Sequence, residues 1–495
     1  MGKVVIFGID GASLKLIEKW RDELPVLGKI MGGGVFGELE STLPPVTAPA
    51  WPCMFTGKNP GQIGMYSFTT VRFDRDWEIR SNGSRNYHSS SLWHTLNGYG
   101  KKVGLLNVPM TYPPYKVDGF MVCGMGSPET LKANYTYPAE LKKVLDKVVG
   151  GYEIFPAVSV PVKGRERAYL DTLKKAVDKR LKAARFLLNN FSWDLFVCVF
   201  WSLDQVQHFF WHYMDESHPW HYPSEFENAI KDFYRQIDAA IGELLDELPQ
   251  DIDVFVVSDH GFGSLPVSFS VNNWLLNNGF LKYKTATSGR RRLVLVDRVK
   301  DVLLSKLNPE LVRLVIKVLP RRMVESLSSQ ARQKEQAIGL LKDVDWENTR
   351  AYAMQGMISV NLKGREPEGI VQPGGEYEGV RDEIISGLRK LADPKTGKPL
   401  DIRLYKREEI YHGEHLNLAP DILIQLDSYP EVTETEDSEW HKPTWSGWHA
   451  PKGIFMASGK NIKRSAQRLR NLRLYDITPT VLHPVSYTHL TLPTN

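Results

Sequence analysis

Two hydrophobic patterns alternate along the chain. Val4 to Ile9, Val103 to Val108, the run inside Trp193–Asp204, and the segment that opens at Asp253 are short, apolar and rich in β-branched residues. Runs without polar alternation predict parallel strands covered on both faces. Ala351 to Leu362, Pro420 to Gln425 and Gly453 to Ala457 add further sheet-like stretches. Between them, Leu92 to Gly98, Ala139 to Val149, Ala168 to Asn189, Asn272 to Gly279, Gly374 to Leu391 and Leu474 to His483 predict helices. The Ala168 helix is long and amphipathic, with Lys and Arg on its wet face. Strands interleaved with helices predict an α/β fold built on a mostly parallel sheet sandwiched by helices. Thr69 to Ser91 is polar and predicts an irregular excursion.

Charge patterning divides the chain. From Arg290 to Lys342 runs a basic block containing Arg290-Arg-Arg292 and Arg321-Arg322, in which Leu and Val alternate with Lys and Arg. It predicts an inserted helical cap, whose basic face is either simply solvated or meets an acidic substrate or membrane surface. The expected organisation is a core over 1–285, the cap over 286–345, the rest of the core over 346–484, and a tail over 485–495. Ser486-Tyr-Thr-His-Leu-Thr-Leu-Pro-Thr494 looks like translated sequencing-adapter DNA, so the tail is expected to be foreign and His489 is left out of any site.

Composition narrows the function classes. With 495 residues, 42% hydrophobic and 24% charged, the chain resembles an ordinary globular protein. A net charge of +4, from 62 basic and 58 acidic residues, is too slight to predict a nucleic-acid polymer as partner. Cys53, Cys123 and Cys198 are odd in number and widely spaced, giving neither a disulfide framework nor a metal clip. No apolar run reaches membrane-spanning length, and the first strand begins too early to leave room for a signal peptide. A cytoplasmic location is expected.

The candidate chemistry lies at strand ends and in loops. Asp10 follows the first strand between Gly8 and Gly11. The carboxyl ends of strands are where open α/β sheets bind ligands, although an Asp there is also a common helix cap. Thr47 stands between Pro44-Pro45 and Pro49, ahead of the apolar residues Ala50, Trp51, Met54 and Phe55. It is either a helix N-cap or a hydroxyl presented at a helix N-terminus, where an anion is favoured. Asp204 and His208 are four apart, so a helix would put both on one face within reach of one metal ion. Trp211, His212, Tyr213, Trp220, His221 and Tyr222 behind them either wall a substrate pocket or pack at a seam. Asp259 and His260 end a buried strand, with Gly261 and Gly263 supplying the freedom to turn both toward one place. His449 lies in the Gly-containing loop Trp445-Ser-Gly-Trp-His449. Carboxylates mixed with imidazoles suit Zn²⁺, or Mn²⁺ as a substitute, and six such ligands with one alkoxide suffice for two ions.

Taken together, Phe7-Gly-Ile-Asp-Gly11, Pro45-Val-Thr-Ala-Pro-Ala-Trp51, Thr56-Gly-Lys-Asn-Pro60, Asp204 to His208, Ser258-Asp-His-Gly261, Asn361-Leu-Lys-Gly-Arg-Glu-Pro367 and Gly447-Trp-His449 resemble a known family. It is the type I phosphodiesterase/nucleotide pyrophosphatase branch of the alkaline phosphatase superfamily. The archaeal and bacterial predicted phosphohydrolase/phosphomutase group is the nearer likeness, over Lys3 to His483. The resemblance implies an alkaline-phosphatase-like sheet and two divalent ions. Asp204, His208 and His449 would hold one; Asp10, Asp259, His260 and the Thr47 oxygen would hold the other. It also implies that Thr47 attacks phosphorus in a small phosphorylated substrate such as a nucleotide, phosphosugar or head-group ester. A phosphothreonine would form and then be hydrolysed.

Departures from the family pattern qualify this. The family's Asn after Thr-x-Pro is Ala50 here, and Gly64-Met-Tyr-Ser-Phe68 lacks the second amide. The N–H groups near Ala48 or the Ser67 hydroxyl are the candidate replacements. The chain is also expected to end before the family's closing segment. A sulfatase reading fails because Cys53 lacks the required neighbours. A cofactor-independent phosphomutase would normally use Ser where this chain has Thr47, and a non-catalytic metal-binding protein of the same fold would need a reason to keep the whole ligand set.

Overall fold

The computed structural model describes residues 3–72, 78–128, 133–155, 161, 164–249, 251–284, 341–354, 356–394, 396–426, 432–433 and 438–483. The expected cap, apart from 341–345, and the tail over 485–495 lie outside the described residues. The chain divides into two compact units, one of Met1–Asn59, Asn82–Ser264 and His449–Asn495, the other of Pro60–Ser81 and Leu265–Trp448.

The first unit is built on a nine-stranded sheet. Its strands are β1 (Val4–Ile9), β2 (Val35–Glu40), β3 (Val103–Val108), β4 (Gly119–Cys123), β5 (Thr136–Tyr137), β6 (Leu195–Phe200), β7 (Asp253–Val257), β8 (Lys452–Ser458) and β9 (Gln467–Arg473), in the spatial order β9-β2-β8-β7-β1-β6-β3-β4-β5. β1 runs parallel to β6 and β7, β3 to β6 and β4, and β2 to β9. β8 and β5 are the reversed strands. Every residue of β1, β3, β6 and β7 is buried, as expected of strands covered on both faces. The edge strand β9 reads Gln-Arg-Leu-Arg-Asn-Leu-Arg and is mostly exposed. Its polarity hides it from an apolar-run reading.

Helices cover this sheet. Glu166–Asn190 buries Tyr169, Leu173, Val177, Ala184 and Leu187 along one stripe and extends slightly beyond the predicted 168–189. Ala229–Asp246, not anticipated from the sequence, carries a buried carboxylate on its apolar face. That residue, Asp238, accepts the N–H groups of Val26 at 3.2 Å and Leu27 at 2.7 Å, so it caps the helix Pro25–Gly33 from another part of the chain. No helix among the described residues is long and apolar enough to cross a membrane.

The second unit holds a four-stranded antiparallel sheet in the order Ala351–Met354, Met357–Val360, Ile422–Leu426, Ile402–Lys406. The helix Gly375–Leu388 contributes Val380, Ile384 and Leu388 to the same apolar core as Ile358, Val360 and Ile422. Ala351 to Leu362 is thus a tight hairpin rather than one sheet segment. Thr69 to Ser91 is likewise more regular than its polarity predicts, because Thr69–Arg72 pairs antiparallel with Glu78–Ser81.

The Asn361–Pro367 motif has a structural role in this unit. Asn361 donates to the carbonyls of Trp346, Thr349 and Glu368 at 3.2, 2.9 and 3.1 Å. Arg365 makes a two-pronged pair with buried Asp421 at 2.8 and 2.6 Å. Burial opposes ionisation of Asp421, yet Arg365 and Arg407 hold its pKa below the ordinary carboxylate value. Asp421 also accepts the N–H of Val360 at 2.7 Å, tying the hairpin to its neighbour strand.

Candidate active site

The sheet brings the candidate residues to one edge. β1, β6 and β7 are parallel neighbours in register, with Ile9 opposite Phe200 and Gly8 opposite Val257. Their carboxyl ends therefore coincide, and Asp10, the turn leading to Asp204, and Asp259-His260 emerge side by side. β8 is reversed and begins at that same edge, where Lys452 pairs with Glu40, the last residue of β2. His449 arrives just ahead of β8. The end of β2 leads through Ser41, whose hydroxyl donates to the Asp259 carbonyl at 2.6 Å, toward Thr47.

Thr47 opens the buried helix Thr47–Thr56 and is not its N-cap; that position is Val46, with no side-chain capping bond. Gly57 closes the helix in the left-handed conformation, at φ 65°. Asp10 is not a cap either, since Ser13 precedes the next helix. Asp204 lies in the first turn of the helix Ser202–Met214, whose capping position is Trp201. The capping alternatives for Thr47 and Asp10 are thereby removed.

One cluster gathers Asp204, His208 and His449. Asp204 Oδ1 is 3.5 Å from His208 Nε2 and 3.2 Å from His449 Nε2. The two Nε2 atoms lie 3.2 Å apart. His449 Nδ1 lies 2.9 Å from the carbonyl of Pro45 and donates to it, so Nε2 is the nitrogen turned toward Asp204 and His208. Burial alone would raise the pKa of Asp204, but the adjacent His208 and His449 bring it well below the usual carboxylate value.

A second cluster gathers Asp10, Asp259, His260 and Thr47. His260 Nε2 is 3.5 Å from Asp10 Oδ1, 3.2 Å from Asp259 Oδ2 and 3.3 Å from Thr47 Oγ1. His260 Nδ1 donates to the Gly261 carbonyl at 3.0 Å, which again leaves Nε2 with its lone pair pointing inward. Burial, then the charges of Asp259 and Asp204, push the Asp10 pKa well up. Burial and Asp204 raise Asp259 to about 8. His260 is pushed well below its ordinary value by burial and by His449.

These groups fit divalent cations. Asp10 Oδ1, Asp204 Oδ1 and Asp259 Oδ2 are buried with no hydrogen-bond partner, an expensive state for carboxylate oxygens. Donor atoms of Asp204, His208 and His449 lie within 4.8 Å of one another, and so do those of Asp10, Asp204 and His260. Asp204 thus reaches both groups. The family resemblance assigns it to one ion only.

Two aromatic side chains around the clusters are not among the residues that the sequence predicts for the site. Trp51 donates its indole N–H to Asp10 Oδ2 at 3.1 Å. Phe262 packs edge-on against His208 with ring centres 4.8 Å apart, against His449 at 5.5 Å, and stacks on Trp211 at 5.9 Å. Trp51 lies in an apolar run and Phe262 between two glycines, where each looks like a packing residue. The available signals were spacing: Trp51 is one helical turn beyond Thr47, and Phe262 directly follows the Asp259–Gly261 turn. In the aromatic segment, His212, Tyr213, Trp220 and Tyr222 pack on one another, with His212 centred 6.3 Å from Trp220.

The description of the type I phosphodiesterase / nucleotide pyrophosphatase family matches residues 4–451. No curated protein sequence matches the chain. Among solved structures, the chain is similar to murine ectonucleotide pyrophosphatase/phosphodiesterase 5 at 14% identity and a TM-score of 0.53, over 100% of this chain and 97% of that one. A further structure of the murine protein, an inactive threonine-to-alanine form in complex with AMP, gives the same 14%, 0.53, 100% and 97%. Phosphonoacetate hydrolase from Sinorhizobium meliloti 1021, in complex with phosphonoacetate, matches at 14% identity and a TM-score of 0.55, over 98% of this chain and 96% of that one. At such identities these likenesses establish the fold, which is the alkaline-phosphatase-like α/β architecture.

Proposed function

The chain belongs to the type I phosphodiesterase/nucleotide pyrophosphatase family, a family of phosphoric ester hydrolases, and from that premise we propose that it hydrolyses small phosphorylated substrates through a phosphothreonine formed on Thr47. The observation that carries this reading is the position of the Thr47 hydroxyl, 3.3 Å from His260 Nε2, beside three buried carboxylate oxygens that lack partners. Asp204, His208 and His449 would hold one divalent ion, and Asp10, Asp259, His260 and Thr47 the other. Zn²⁺ suits this donor set, with Mn²⁺ as a substitute. When bound, such ions lower the pKa of a coordinated hydroxyl or water and neutralise charge on phosphoryl oxygens.

The chain's own groups do the rest. His260, fixed through its Nδ1 contact to Gly261, keeps its Nε2 turned to the side of the site where the Thr47 hydroxyl lies. Thr47 Oγ1 bonds to phosphorus while the bond to the departing oxygen breaks and takes its electron pair. The hydroxyl proton ends on that leaving group. Water then displaces the threonine oxygen, which regains a proton. The N–H of Ala48, in the first turn of the Thr47 helix, favours a phosphoryl oxygen nearby and is our candidate for the role of the missing amide. AMP in the murine neighbour supports a nucleotide as one substrate class. Three buried, unpaired cysteines fit a reducing compartment such as the cytoplasm.

Turnover of bis-p-nitrophenyl phosphate and p-nitrophenyl phosphate with Zn²⁺ or Mn²⁺, before and after chelation, tests this. The expected result is metal-dependent hydrolysis lost by at least about 10³-fold in Thr47→Ala, with metal still bound. Metal-loaded protein that turns over neither ester contradicts a hydrolase. Activity that survives in Thr47→Ala contradicts the threonine intermediate.

A further inference from the structure

Trp51 occupies an unusual position. It is fully buried, lies four residues after Thr47 on the same helix, and therefore shares its face. Its indole N–H reaches Asp10 Oδ2 at 3.1 Å. The other oxygen, Asp10 Oδ1, has no partner and faces His260 Nε2 at 3.5 Å. The strand makes room for this contact. Gly8 and Asp10 point to the same side of β1, being two apart. A Cβ at Gly8 would lie 2.5 Å from Trp51 Cη2 and 2.9 Å from Val199 Cγ2, so the indole lies across the bare backbone of Gly8 to reach Asp10. Phe55 stacks behind it with ring centres 5.8 Å apart, and Phe55 in turn packs on Trp93 at 5.4 Å.

We infer that Trp51 is a positioning residue: its indole N–H occupies one oxygen of Asp10, reserves the other for the cation beside Thr47, and fixes the nucleophile's helix at that distance from the ligand. Hydrogen bonds to the outer face of a ligating carboxylate orient it, and their loss typically weakens metal binding by about 10–100-fold. Here the donor is carried by the same helix as the nucleophile. Resting on the two-ion reading above, this links metal affinity at the Thr47 side to the helix itself. It also gives Gly8 a function, as the floor over which the indole passes.

The test measures dissociation constants for Zn²⁺ by chelator competition, on wild type first and then on Trp51→Phe. A second variant carries benzothienyl-alanine at 51, which keeps the ring shape and lacks the N–H, in case phenylalanine disturbs folding. The expected result is two ions in wild type, and one of them weakened by about 10–100-fold in both variants with the other unchanged. In an Asp10→Asn background, the Trp51 change should have no further effect on affinity. Two ions held with wild-type affinity in the benzothienyl variant overturn the inference, and so does equal weakening of both. Wild-type protein that binds no divalent ion overturns the two-ion reading instead, which separates the two failures.

Discussion

At the scale of single residues, the site gathers more carboxyl groups than a protein interior can keep ionised without cations. Asp10 and Asp259 both have raised pKa values, from burial first and then from neighbouring carboxylates. Removing one charge should therefore help the empty protein while harming the loaded one. In the chelated protein at pH 8, Asp259→Asn should raise unfolding stability by about 1–3 kcal/mol, measured by urea denaturation. The same substitution should remove one bound ion. A stability loss in chelator would contradict the reading of Asp259 as a carboxyl whose ionisation is opposed by its burial. This residue-level chemistry is the most legible part of the sequence. Asp10, Asp259 and His260 sit just past apolar runs, and Asp204 and His208 carry helical spacing. Trp51 is not legible, because a buried tryptophan in an apolar run is indistinguishable from core until its indole N–H is seen against Asp10.

At the scale of elements, what the sequence reveals depends on burial. β1, β3, β6 and β7 are buried throughout and read as continuous apolar runs. β9 is polar and exposed, and Ala229–Asp246 carries a carboxylate whose partner is a distant helix end; both are set by tertiary context that local pattern does not encode. Asn361–Pro367 is an intermediate case. Its residues are visible as part of a family pattern, but their purpose appears only in the pairing of Arg365 with Asp421 across the second unit. Asp421 is fully buried, so removing its partner strands a charge. Arg365→Met should destabilise the protein by about 3–5 kcal/mol, read as a lower urea midpoint. Replacing both partners with apolar residues should recover much of the loss. A single variant as stable as wild type would mean that Arg407, 3.2 Å from Asp421, suffices alone.

At the scale of the whole molecule, the two clusters set how stability follows pH, and cations should reverse the trend. In the metal-free protein Asp259 has its pKa raised from 3.8 to about 8, and Asp10 is raised as well. A carboxyl raised on folding stabilises the native state fully below about pH 4 and loses that contribution as pH climbs through its folded value. His260 acts the other way. Its pKa is lowered from 6.5, so it favours the native state above pH 6.5 and opposes it as pH falls. Asp204, also lowered, contributes above its ordinary value of 3.8 and is lost only in stronger acid. Below pH 6.5 the histidine and the raised carboxyls pull in opposite directions. Between pH 6.5 and 8 the carboxyls act without that opposition, at about 1.4 kcal/mol per pH unit for each group. Chelated protein should therefore lose about 1–2 kcal/mol across that window from Asp259 alone. With Zn²⁺ bound, ions replace those protons and binding strengthens as the ligands deprotonate, so stability should rise over the same window. Thermal melts at pH 6.5 and 8, with and without chelator, check both slopes. A chelated protein that melts higher at pH 8 than at pH 6.5 would show that Asp10 and Asp259 are not held protonated by their burial.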